Sequence, residues 1–247
     1  MKNNFKIAAA QLNISKPISS VIKDIKKYMC LAKKRKAEII CFPEESISAG
    51  PKKNKEVISK IKEYCRLYSI WCIIAANLKE KKYSYKSALI INAEGEIFGK
   101  HKKVHVLGDG PVMPGSKFNV YSTPFCKIGI AICWDVSNPV AIKKMAKKGA
   151  KIIFCPMYWC YDEWSHKKDH KKFEKKILQS LILARAYESL AYIVFCNPVY
   201  RNENRLTSYT AIAEPHKIVK EIFGKEGLIV SKVNLRRLQR IRKKSSS

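Results

Sequence analysis

Three positions in this 247-residue chain have side chains and surroundings suited to covalent chemistry at a carbonyl carbon: Glu44, Lys103 and Cys133. Cys133 ends the apolar run Lys127-Ile128-Gly129-Ile130-Ala131-Ile132 and precedes Trp134-Asp135. A nucleophile needs a chain that stops and turns there, presenting sulfur outward beside backbone N–H groups that can face a developing oxyanion. Glu44 follows the apolar run Ile39-Ile40-Cys41-Phe42 and Pro43. Partial desolvation at the mouth of a buried strand makes a carboxylate a better proton carrier. Lys103 closes Gly99-Lys100-His101-Lys102-Lys103, and an ammonium beside a thiolate and a carboxylate can stabilise a tetrahedral anion. Taken singly, each has an ordinary reading. Glu44 could be a helix-start acid before Glu45-Ser46, Cys133 one more buried thiol among nine, and Lys103 a solvated lysine in a chain of net charge +29.

The elements that must position these residues read as alternating apolar strands and lysine-rich amphipathic helices. Strands are expected over 5–11, 38–42, 71–76, 87–92, 97–100, 126–132, 151–155 and 192–196. Three more, at 210–213, 217–222 and 227–234, close the chain. Helices are expected over 19–36, 55–68, 139–148 (stopped by Gly149) and about 168–189, with a hairpin turn at Ala93-Glu94-Gly95-Glu96. This alternation argues an α/β fold with buried strands covered by helices, and it puts function at strand ends and loops.

Composition narrows the setting. With 47% hydrophobic residues the chain can bury a full core. No Pro/Gly/Ser-rich linker or repeat divides it, so one domain over residues 1–242 is expected, followed by a polar tail at 243–247. The apolar start ends at Gln11-Leu12-Asn13, too short for a signal peptide or a membrane span, which predicts a cytoplasmic protein without membrane contact. Nine cysteines cannot all pair internally, and Cys41, Cys72, Cys155 and Cys196 sit in apolar runs as small hydrophobes. The close pair Cys155 and Cys160 lacks the second pair that a zinc ribbon uses. The +29 charge suits nucleic acid or another polyanion, but it is spread along the chain without an RNA-binding motif, and solvated helix faces are the preferred reading.

In order and with their flanks, the three positions resemble the carbon–nitrogen hydrolase (nitrilase) superfamily. The family's first strand is similar to Ile7-Ala8-Ala9-Ala10-Gln11, and its glutamate motif to Phe42-Pro43-Glu44. Its lysine, two residues before a histidine, is similar to Lys103-Val104-His105. Its nucleophile motif is similar to Gly129-Ile130-Ala131-Ile132-Cys133-Trp134-Asp135. The stretch 148–156, the helix segment Ala184-Arg185-Ala186-Tyr187-Glu188 and Cys196-Asn197 extend the likeness from about residue 5 to 240. The resemblance implies a four-layer αββα sandwich with two mixed β-sheets, assembled into homodimers or larger oligomers through outer helices. It implies a mechanism without metal or cofactor on a small linear amide or N-carbamoyl compound. Glu44 would move protons, Cys133 would attack, and Lys103 with the backbone N–H of Trp134 would hold the oxyanion. A nitrilase-scaffold protein binding nucleic acid is the alternative from another class.

Departures from the pattern surround the substrate. Many members carry a second glutamate between the lysine and the cysteine, whereas here the loop 106–115 has Asp109 as its only acid. Either Asp109 substitutes, or the pocket is rebuilt. Ser137 and Val140 stand where the family often has an arginine and a glutamate. Tyr158, Trp159, Tyr161 and Trp164 are candidates to wall the pocket or an oligomer interface, with packing under a loop as the equal alternative. His166 and His170 lie four apart, but in a lysine-rich stretch that reads as a solvated face. Arg185 and Glu188 can pair on one helix face near the site, and His105 reads as a positioning residue.

Overall fold

Successive side chains of a strand face opposite ways, and in this chain each direction meets its own apolar layer. In the computed structural model, residues 4–48, 50–108, 110–160, 170–199 and 206–244 are described. The first sheet holds β1 (Asn4–Gln11), β2 (Ala37–Cys41), β3 (Trp71–Glu80), β4 (Tyr83–Ile91), β5 (Ile97–Lys102) and β12 (Gly227–Asn234), ordered β12-β1-β2-β3-β4-β5. The second holds β6 (Val120–Ser122), β7 (Lys127–Ile130), β8 (Ile152–Pro156), β9 (Tyr192–Cys196), β10 (Tyr209–Glu214) and β11 (Lys217–Phe223), ordered β11-β10-β9-β8-β7-β6.

Helices α1 (Ile18–Lys34) and α2 (Pro51–Tyr68) cover the first sheet. In β1, Ala8 and Ala10 pack with Val21, Ile25 and Met29 of α1, while Ile7 and Ala9 face the second sheet. Helices α3 (Pro139–Lys147) and α4 (His170–Ser189) cover the other side, with Ile142, Met145, Leu178 and Ile182 in the core that also contains Ile130, Phe154 and Phe195. The result is the αββα sandwich. Cys196 of β9 ties the inner faces together, its thiol donating to the carbonyls of Ala10 and Cys41 at 3.2 Å each. Seven of the nine cysteines are buried.

The two sheets share one pairing pattern. Reading β12-β1-β2-β3-β4-β5 and β6-β7-β8-β9-β10-β11 in parallel, the neighbours are antiparallel, parallel, parallel, antiparallel and antiparallel in both. In this matching β2 corresponds to β8 and β1 to β7. The chain segments leaving the ends of β1 and β9 cross-bond, Val199 N–H to Leu12 O and Ile14 N–H to Val199 O. The Glu44 N–H, just beyond β2, donates to Met157 O beyond β8 at 3.2 Å. Both parallel cores therefore open their carboxyl ends at the same place, where α/β sheets carry ligands.

Three elements differ from the sequence reading. The chain closes with a fifth helix, α5 (Leu235–Lys244), which takes in Lys243 and Lys244 of the expected tail. Its core side is narrow, with Leu235 and Leu238 buried among arginines and lysines. The short strand β6 was not expected. The expected strand 126–132 ends at Ile130, and a 3-10 turn, Cys133–Ser137, follows. Gly149, at φ +96°, stops α3 as expected. Among the described residues no helix is long and apolar enough to cross a membrane.

Candidate active site

The sandwich brings Glu44, Lys103 and Cys133 to one cavity of about 710 Å3, lined also by Glu45, Lys86, Trp134, Tyr158, Trp159 and Cys160. Cys133 leaves β7 with φ +46°, a left-handed conformation unusual for a residue with a side chain. The turn aims its sulfur into the cavity, and the residue stays only 8% exposed. The thiol donates to Tyr158 O at 3.6 Å and lies within hydrogen-bonding reach of the Glu44 carboxylate. Burial pushes this thiol far above its ordinary range, and the negative charge of Glu44 pushes it further, while the Lys103 ammonium opposes both. The resting sulfur is therefore protonated, and it needs a base at the moment of attack.

Glu44 and Lys103 are almost completely enclosed, at 2% and 1% exposure. A buried ammonium is costly without a partner, and Lys103 Nζ donates to Glu44 Oε1 at 3.2 Å. Its backbone is fixed on both sides, with Lys103 N–H on Lys86 O and Gly115 N–H on Lys103 O.

Asp135, which the sequence reading quoted only as part of the cysteine motif, joins the lysine segment to the cysteine turn. It is fully buried and accepts from the Ile132 N–H (3.0 Å), the Val104 N–H (3.1 Å) and the His105 N–H (2.7 Å). His105 Nδ1 lies 3.0 Å from Asp135 Oδ1, and His105 Nε2 lies 3.1 Å from Asn138 Nδ2. These two contacts fix the ring between Asp135 and Asn138. Arg185 supports the same turn, donating from Nε to Val136 O (2.7 Å) and from Nη2 to Ser137 O (3.0 Å), and it pairs with Glu188.

Trp134 and Trp159 stack at 5.3 Å between ring centroids and wall the cavity with Tyr158. The Trp159 N–H is held by Asn197 and its indole N–H by Glu174. Asp109, Tyr161, Trp164 and His166 lie outside the described residues, as does the side chain of His170. Among the described residues, no three His, Cys, Asp or Glu side chains group as a metal site. The sequence reading did not find Lys86 and Glu45. Lys86 pairs with Glu45, and its Nζ stands 3.9 Å from Glu44 Oε1. No motif marks a lysine in a chain this rich in them.

A thiol, a carboxylate and a buried ammonium meet at the shared carboxyl ends of two mixed sheets. The chain belongs to the carbon–nitrogen hydrolase family, whose sequence model matches residues 6–243, and it is an enzyme of that class. It is similar to omega-amidase NIT2-A of Xenopus laevis, 22% identical over 270 residues, covering 96% of this chain and 91% of that protein. It is also similar to N-carbamoylputrescine amidase of Arabidopsis thaliana, 34% identical over 116 residues, covering 44% of this chain and 38% of that protein. Among solved structures, it resembles a glutamate-to-glutamine mutant of the amidase from Nesterenkonia sp. AN1, with a TM-score of 0.80 and 18% identity. That alignment covers 98% of this chain and 94% of the other, whose active-site cysteine carries the covalently added acetamide moiety of fluoroacetamide.

Proposed function

We propose that this enzyme hydrolyses the C–N bond of a small linear amide or N-carbamoyl compound, with Glu44, Lys103 and Cys133 as its catalytic residues. The observation that carries the reading is the buried Glu44 carboxylate lying beside both the Cys133 thiol and the Lys103 ammonium in one cavity. Glu44 takes the thiol proton as sulfur bonds to the carbonyl carbon, and the oxyanion rests on Lys103 and the Trp134 backbone N–H. Protonated Glu44 gives its proton to the departing nitrogen as the C–N bond breaks, leaving a thioester. Glu44 then takes a proton from water while the oxygen attacks the thioester, and the acid leaves as sulfur regains a proton. An N-carbamoyl substrate follows the same course to an amine, ammonia and carbon dioxide.

The relatives named above act, by their names, on amides or a carbamoyl amine, which supports this substrate class. The test is ammonia release across a panel of ω-amides and N-carbamoyl amines, with hydroxylamine trapping of the acyl group. The parent should release ammonia and yield a hydroxamate, and Cys133→Ser should lose at least about 1,000-fold in kcat/KM. A serine variant as active as the parent would sink the proposal.

A further inference from the structure

The second lysine of the cavity has a place in the reaction scheme. Lys86 lies on β4, next to β5, and its carbonyl accepts the Lys103 N–H at 2.8 Å. The backbone thus sets both lysine side chains from one hydrogen-bonded junction. Lys86 Nζ is 3.9 Å from Glu44 Oε1, the same oxygen that Lys103 Nζ holds at 3.2 Å. Its other carboxylate partner is Glu45, whose backbone sits at φ +62°. That left-handed turn lets two successive glutamates both line the cavity. Four charges then alternate in sign: Glu45, Lys86, Glu44, Lys103. Their side chains are between 2% and 17% exposed, so solvent screens them weakly.

We propose that Lys86, anchored by Glu45, is a positioning residue that orients the Glu44 carboxylate and keeps it charged for its exchange of protons with Cys133. This rests on the reading of Glu44 as the proton carrier. Two ammonium groups converge on Oε1 of Glu44. They also provide what a lone Lys103 does not. When Glu44 becomes a carboxylate again on giving its proton to the departing nitrogen, Lys86 neutralises it even while Lys103 is turned towards the acyl oxygen, so the buried charge is not stranded without a cation. The charged groups that face Glu44 among the described residues are Lys86 from β4, Lys103 after β5 and its neighbour Glu45, with the Cys133 thiol facing it from the 3-10 turn. The stretch 104–132 contains no glutamate and only Asp109 as an acid. Among the described residues, the second carboxylate of the cavity is Glu45, the residue beside the first.

The test compares Lys86→Met, Lys86→Arg and Glu45→Gln on the best amide of the panel, reading kcat, KM and the pH profile of kcat/KM. Removing a cation beside a carboxylate makes it easier to protonate, so the acid limb moves to higher pH. For Lys86→Met, the limb should rise by about one pH unit and kcat should fall by about tenfold, with KM little changed. Lys86→Arg should restore the parental limb. Glu45→Gln should shift it the same way by less, and it provides the same reading if Lys86→Met does not fold. An unmoved acid limb in both Lys86→Met and Glu45→Gln would overturn the inference, as would a change confined to KM. Glu44→Gln separates the two levels. If it is inactive while Lys86→Met behaves as the parent, only the role of Lys86 fails; if it keeps full activity, the proton-carrier reading fails with it.

Discussion

Asp135 shows how one side chain can hold two distant segments of the cavity in register. It binds N–H groups at Ile132, Val104 and His105, so the turn that presents Cys133 and the segment that carries Lys103 share one anchor. Replacing Asp135 by Asn puts an NH2 group against N–H donors at a fully buried position. The expected cost is about 3 kcal/mol of stability, read as a lower urea midpoint with an unchanged slope. Activity should fall further than stability requires, because the proposed oxyanion site needs both segments within a fraction of an ångström. The motif Cys133-Trp134-Asp135 was legible in the sequence, and Glu44 and Lys103 came with it through their own motifs. Lys86 was not, because its contribution arises only from the register of β4 against β5, and a lysine inside Tyr83-Ser84-Tyr85-Lys86-Ser87 carries no local mark.

At the scale of elements, the strands with continuous apolar runs were the readable ones: Ile39-Ile40-Cys41-Phe42, Ile152-Ile153-Phe154-Cys155 and Tyr192-Ile193-Val194-Phe195 all became core strands buried on both faces. Helix α5 was hidden because Leu235-Arg236-Arg237-Leu238 looks like a charge run unless the two leucines are seen to share a face. The common pairing order of the two sheets was hidden too, since it is a property of hydrogen-bond direction and not of residue identity. The outer helix α4 shows Phe173, Ile177 and Tyr187 at 56%, 41% and 62% exposure. Apolar groups so placed suit the homo-oligomer expected from the family resemblance. Light scattering after gel filtration should give a dimer or larger species for the parent and a monomer for a Phe173→Asp/Ile177→Arg variant of unchanged circular dichroism. A monomeric parent would remove that expectation.

Across the whole molecule, the +29 charge and the balanced cavity form a contrast. The four ionic side chains of the cavity cancel, so the excess lies outside it. A cationic exterior draws anions towards every opening. For an amide that also bears a carboxylate, kcat/KM should fall as salt rises from 20 to about 300 mM, while a neutral amide changes little. Equal behaviour of the two substrates would show that the charge does not steer them.

The interior thiols set the alkaline limit. Burial raises Cys41, Cys72 and Cys155 well above their usual range, and Cys126 to about 12. A thiol raised in the folded state contributes stability below its unfolded value near 9, and that contribution is lost as pH climbs towards the folded value. Under reducing conditions the urea midpoint should therefore drop steadily from pH 9 to 11. A midpoint constant over that range would contradict the burial of these thiols.

Heat raises a different hazard for the same sulfurs. Sheltered inside the sandwich they are chemically idle, but a melted chain exposes the seven buried thiols at once to oxygen and to one another. Mismatched disulfides would then trap the coil before it could refold. In air the melting temperature should depend on heating rate, and a second scan should recover little of the transition; fresh reductant should restore much of it.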